Sequence, residues 1–161
     1  MMGQKFHKLN SKYGIIDYPI LLKDLESIIQ EFPKSERKFY EYAIKALKKE
    51  VGKKEKILHM TSADPKLTKF GFMVITEKKL LFVTMKGGFF GGADTEVVEF
   101  KSIKEVDFDI APNPLGMATM QLGILHLKIK GKLGMSSKRT IRNIDEHSLD
   151  KIVAILREQT K

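Results

Sequence analysis

The chain of 161 residues has no cysteine and no tryptophan. Without cysteine there are no disulfides, thiolate nucleophiles or thiolate metal sites. Apolar runs stop after a few residues, far short of the roughly 20 needed to span a bilayer as a helix. The first ten residues set Lys5, His7 and Lys8 around single apolar positions and lack the apolar middle of a signal peptide. The expectation is a cytoplasmic protein, at most peripheral to a membrane.

Catalytic equipment is equally sparse. His7, His59, His126 and His147 are scattered, and none has a second histidine at metal-ligand spacing. Gly87 to Gly92 does not end in the Lys-Ser/Thr of a phosphate-binding loop, and no glycine-rich turn opens a helix. The expectation is therefore no catalytic residue, no cofactor and no metal. A net charge of +9 favours anionic partners. Nucleic acid is disfavoured, because only four tyrosines are present and no aromatics interleave with the basic residues from Lys128 to Arg142.

Hydrophobic periodicity changes near residue 55. Before it, Leu21, Leu25, Ile28, Ile29 and Phe32 make a helical stripe starting after Pro19 and stopped by Pro33. Ser35 is placed to cap a second helix, on which Phe39, Ala43, Ala46 and Leu47 share a face and which Gly52 ends. The pair reads as a helical hairpin bracing another body, with a dimer contact as the alternative.

After residue 55 the period is two. Strands are expected over residues 56–62, 70–76, 80–85, 96–100, 103–110, 123–130 and 138–144, with a tight turn at residues 76–79 and longer loops at 86–94 and 111–121. The chain closes with a helix capped by Asp145, whose stripe is Leu149, Ile152, Val153 and Leu156. Burying those four side chains contributes about 6 to 10 kcal/mol before entropy is subtracted. The fold class is α+β, mainly β: a helical hairpin followed by a seven-stranded antiparallel barrel or sandwich capped by a C-terminal helix. The expected division is an extension over 1–18, the hairpin over 19–54 and the barrel with its helix over 55–161.

Several local motifs carry a resemblance. Lys56-Ile57-Leu58-His59-Met60-Thr61, then Phe72-Met73-Val74-Ile75-Thr76-Glu77-Lys78-Lys79-Leu80-Leu81-Phe82-Val83, show a strand ending in Thr, a tight basic turn and a strand opening with Leu. Val97-Val98-Glu99-Phe100-Lys101-Ser102-Ile103 and Leu125-His126-Leu127-Lys128-Ile129 continue the pattern. Together they resemble the bacterial pleckstrin-homology (PH)-like domains of the YokE type over residues 55–160. The resemblance implies a PH-like barrel with a binding or scaffolding role and assigns no site residues.

Two surfaces stand out as candidates. No acidic residue occurs from Ile110 to Ile144, where Lys128, Lys130, Lys132, Lys138, Arg139 and Arg142 accumulate as a candidate anion-binding face. The simpler account for Lys128 and Lys130 is a cross-strand charge ladder with Glu105, Asp107 and Asp109; Arg139 and Arg142 have no evident acidic neighbour in sequence. Phe89 and Phe90, between glycine pairs, form a candidate contact loop, or fold back onto the barrel. Lys66 and Lys69 after Asp64-Pro65 read as a solvated loop rather than a phosphate site. The leading expectation is a non-catalytic module binding a protein partner or itself; the alternative is weak, peripheral binding of anionic lipid headgroups through the basic face.

Overall fold

The computed structural model of the chain describes residues 16–66, 69–87, 91–110 and 122–161. A two-residue strand β1 (Ile20–Leu21) leads into helices α1 (Leu22–Ile29) and α2 (Lys34–Leu47). Seven longer strands follow: β2 (Lys56–Lys66), β3 (Lys69–Thr76), β4 (Lys79–Met85), β5 (Ala93–Glu99), β6 (Ile103–Ile110), β7 (Leu122–Lys130) and β8 (Ser136–Asp145). A 3-10 turn (Phe100–Ser102) joins β5 to β6, and helix α3 (Glu146–Gln159) ends the chain. All pairings are antiparallel, in the order β5-β4-β3-β2-β8-β7-β6. β2 joins the two halves of the barrel, pairing with β3 through most of its length and with β8 at Asp64 opposite Arg142.

The seven strands and the terminal helix lie where periodicity places them, with several local differences. Leu21 is not helical, because Ile20 and Leu21 pair with Ile57 and Lys56 before α1 begins. Ser35 does not cap α2; Pro33 occupies that position without a side-chain cap. β2 runs on through Asp64 and Pro65 to Lys66, and Phe100 leaves the strand for the 3-10 turn. On α2 it is Tyr40 that faces the core, its ring 4.9 Å from Phe32 and 5.0 Å from Phe72, whereas Phe39 is half exposed against Phe70.

Phe72, Met73, Val74 and Ile75 of β3 and Leu80 to Val83 of β4 are all essentially inaccessible. A strand with one wet face alternates; one covered on both faces is apolar throughout. Here two cores lie on opposite faces of the same strands. Met73, Ile75, Leu80 and Phe82 point into the barrel with Leu125, Leu127, Ile141 and Ile144. Phe72, Val74, Leu81 and Val83 point outward and are covered by Leu25, Ile29, Phe32, Ala43 and Leu47 of the helical hairpin. The hairpin thus spends its apolar stripe on this sheet. Glu55, buried, accepts from the Gly52 amide at 3.3 Å and lies 3.5 Å from Lys79 Nζ, which also donates to the Glu50 carbonyl, tying the chain after α2 to the β3–β4 turn.

Helix α3 plugs the barrel with Leu149, Ile152, Val153 and Leu156, all buried. Asp145 caps it, accepting from the His147 amide at 3.1 Å. Gly123 of β7 lies under Leu149 so closely that an added Cβ would sit 2.3 Å from Leu149 Cδ2.

Candidate functional site

The six basic residues expected to share a face are divided by the alternation of β7 and β8. Lys128 and Lys138 are direct cross-strand neighbours on the outer face. Lys130 and Lys132 are exposed at the far end of the same hairpin. Arg139, one residue on from Lys138, points the other way. Its Nη1 lies 2.6 Å from Glu96 Oε1 on β5, and its guanidinium stands 5.1 Å from the centre of the Phe82 ring. That hydrogen bond, outweighing the opposing effect of partial burial, holds the Glu96 carboxyl below its ordinary range, with smaller help from the charges of Arg139 and Lys66. Arg139, expected to have no acidic neighbour, therefore has a carboxylate partner 43 positions earlier in the chain. Arg142 is exposed on β8 opposite Asp64, whose carboxylate accepts from Asn143.

The charge ladder forms in part. Glu105 faces Lys128 with the charged atoms 3.6 Å apart. Asp107 faces His126 rather than a lysine, and His126 Nε2 lies 3.0 Å from Asp109 Oδ2. Lys130 lies beyond the acidic row, opposite Ser136. Among the described residues, Lys130, Lys132 and Lys138 have no acidic partner.

Two features escaped the sequence reading. The β7–β8 turn, closed by a 2.7 Å bond from the Gly131 amide to the Met135 carbonyl and by Gly134 at φ +81, leaves Leu133 91% and Met135 76% exposed. These two apolar side chains stand among the unpaired lysines; their sequence signal was apolar residues inside a Gly-Lys turn. The other is the place of β6, expected as a strand with its acids outward but found at the end of the strand order, where Phe108 and Ile110 stay partly in water. The outer face of β6 carries Glu105, Asp107 and Asp109, while Val106, Phe108 and Ile110 face the core side opposite Leu127, Leu125 and Gly123. Arg157 of α3 lies along this edge, donating to the Val106 carbonyl at 3.2 Å with its guanidinium 5.9 Å from the centre of the Phe108 ring. The proposed contact loop at Phe89 and Phe90 lies outside the described residues.

One buried cluster sits where the N-terminal segment, β2 and α3 meet. His59 packs 5.0 Å from the Tyr18 ring and its Nε2 has no partner among the described residues. Burial, reinforced by the Lys151 charge and opposed by Asp145, pushes the imidazole down to about 4. Burial likewise pushes the Tyr18 hydroxyl up to about 12, against the effect of its bond to the Met60 carbonyl. Among the described residues no group of acidic and histidine side chains is arranged to hold a metal ion, and no helix is long and apolar enough to cross a membrane.

Residues 51–158 match the family model described as Bacterial PH domain. Among solved structures, the chain is similar to the hSac2 domain from the human phosphoinositide phosphatase Sac2, with a TM-score of 0.51 at 11% identity over 79% of this chain and 83% of that one. It is also similar to the pleckstrin homology domain from Shewanella amazonensis SB2B, with a TM-score of 0.44 at 16% identity over 71% of this chain and 91% of the other. At 11% identity the likeness to the hSac2 domain is one of fold alone. The family match does not specify the YokE type. With its antiparallel barrel, its C-terminal helix and a match over two thirds of its length, the chain belongs to the bacterial PH domain family.

Proposed function

We propose that the chain is a non-catalytic binding or scaffolding module whose partner is a protein, contacted along the open edge of β6. PH domains generally mediate binding or scaffolding, and the family is generally non-catalytic. The observation that carries the reading is the apolar row of β6: Phe108 is 38% and Ile110 37% exposed at the point where one more strand would cover them. An edge strand with exposed apolar side chains is a template for another chain. Against a headgroup-binding face built from all six basic residues stands Arg139, turned away from Lys138 and engaged by Glu96.

A second reading, reversible docking on an anionic bilayer, is favoured by the exposure of Leu133 and Met135 among Lys130, Lys132 and Lys138. A photo-crosslinking side chain placed at Phe108 or at Leu133 in living cells separates the two. Protein adducts from position 108 support the first reading. Lipid adducts from position 133 with no protein adduct from any surface position, together with anionic-vesicle binding abolished by Leu133→Asp/Met135→Asp, would replace it with the second.

A further inference from the structure

The geometry points to a specific chemistry for the partner of β6: an extended segment alternating basic and apolar residues, added as an antiparallel strand beside Lys104–Ile110. This inference rests on the protein-binding reading and names its site and partner. Strand addition satisfies the backbone groups of an open edge, and side-chain pockets at every second residue set specificity. On β6 those alternate positions are unlike. The outer face offers the carboxylates of Glu105 and Asp109, 69% and 70% exposed, with Asp107 between them. The inner face offers Phe108 and Ile110, whose rims remain in water.

The strand on the other side of β6 shows what such a row accepts. β7 sets His126 and Lys128 against the acids and Leu125 and Leu127 into the core. Glu105 and Asp109 each spend one oxygen on Lys128 and His126, and Asp107 spends one on the Phe108 amide at 2.9 Å. All three stay exposed on the outer face with a second oxygen to offer, so a segment patterned like β7 fits beside them on the free side, with opposite charges paired across the strands. A second copy of β6 does not: antiparallel pairing of two such edges places acidic residues among acidic residues, which is destabilising. Arg157, donating to the Val106 carbonyl, now holds the place that an incoming amide would take. Its guanidinium covers one face of Phe108, so the edge is guarded rather than bare.

The test uses the full chain and two labelled peptides. One copies Leu122–Lys130; the other carries glutamate in place of His126 and Lys128, the two positions that meet the acidic row in a β7-like register. Binding is read by fluorescence anisotropy and location by hydrogen exchange. The expected result is saturable binding of the basic peptide, slowed exchange in β6 alone, and affinity about tenfold weaker for the acidic peptide, since two cross-strand pairs turn from attractive to repulsive. Asp107→Lys/Asp109→Lys, checked for folding by circular dichroism, should reverse the preference. Equal affinity for both peptides, no binding of either, or faster exchange in β7 indicating its displacement would each overturn strand addition. Protein adducts from position 108 alongside such a failure would leave the protein-binding reading standing; absence of protein adducts from every position would overturn both.

Discussion

Arg139 on β8 bonds to Glu96 on β5 at 2.6 Å, joining strands that three others separate in the sheet order. The guanidinium also stands over Phe82 of β4, so one side chain links three strands. Arg139→Ala should therefore cost about 1 to 3 kcal/mol in urea unfolding, the range for a charge-assisted hydrogen bond and its packing. Arg142→Ala, exposed on the same strand, should cost less than about 0.5 kcal/mol. Charge reversal at Arg139 thus reports on folding before it reports on any ligand. Because Arg139 lowers the Glu96 carboxyl in the native state, the contribution of the pair is present above the ordinary carboxylate range and disappears as pH falls through the lowered value.

A second pH effect comes from His59. The native imidazole is held neutral to about 4, whereas in the unfolded chain it takes a proton near 6.5. The unfolded state therefore binds the extra proton between those values, and stability, full above about 6.5, declines as pH falls through the window. The loss amounts to at most about 3 kcal/mol. Urea midpoints measured from pH 7 to 4 should fall for the native chain and fall less for His59→Phe.

The helical hairpin covers one face of the first sheet, so removing it should not release a folded barrel. Deleting residues 1–54 strips the cover from Phe72, Val74, Leu81 and Val83, and the product should aggregate or lose its cooperative transition. Leu25→Ala, a milder probe at a site 1% exposed, should cost about 2 to 5 kcal/mol. A soluble truncated monomer with a sharp transition would instead mean that the hairpin serves association, not cover.

Leu149 and Gly123 make a coupled pair. Gly123→Ala drives a methyl group into Leu149 and should cost about 1 to 3 kcal/mol. In Gly123→Ala/Leu149→Ala the clash is gone, so the two losses should sum to more than the double mutant shows by urea unfolding. Strict additivity would place the steric conflict elsewhere.

How much of this was legible depended on the range of the interaction. Period-two patterning located seven strands, and the local pairing of Asp145 with the start of α3 could be read from neighbouring residues. Pairings between distant positions could not. Glu96 and Arg139 lie on strands brought together only by barrel closure, and nothing in the region around Arg139 announces a carboxylate. The unbroken apolar runs of β3 and β4 were readable as strands, yet their second covered face went unread, because it depends on where the hairpin docks. Tyr40 takes the place expected of Phe39 because the buried stripe of α2 includes Ile44, which the expected face omitted: Tyr40, Ala43, Ile44 and Leu47 stand at i, i+3, i+4 and i+7. Leu133 and Met135 were overlooked because two apolar residues in a turn carry no period.

The claim on which the functional reading stands is that β6 is an unpaired edge, and amide hydrogen exchange of the full chain alone, resolved to single residues by NMR, tests it most directly. Amides of Lys104–Ile110 that bond to β7 should be protected, while those directed off the sheet should exchange orders of magnitude faster, giving alternation along the strand. Uniform protection from Lys104 to Ile110 would show the edge already covered and would contradict the account.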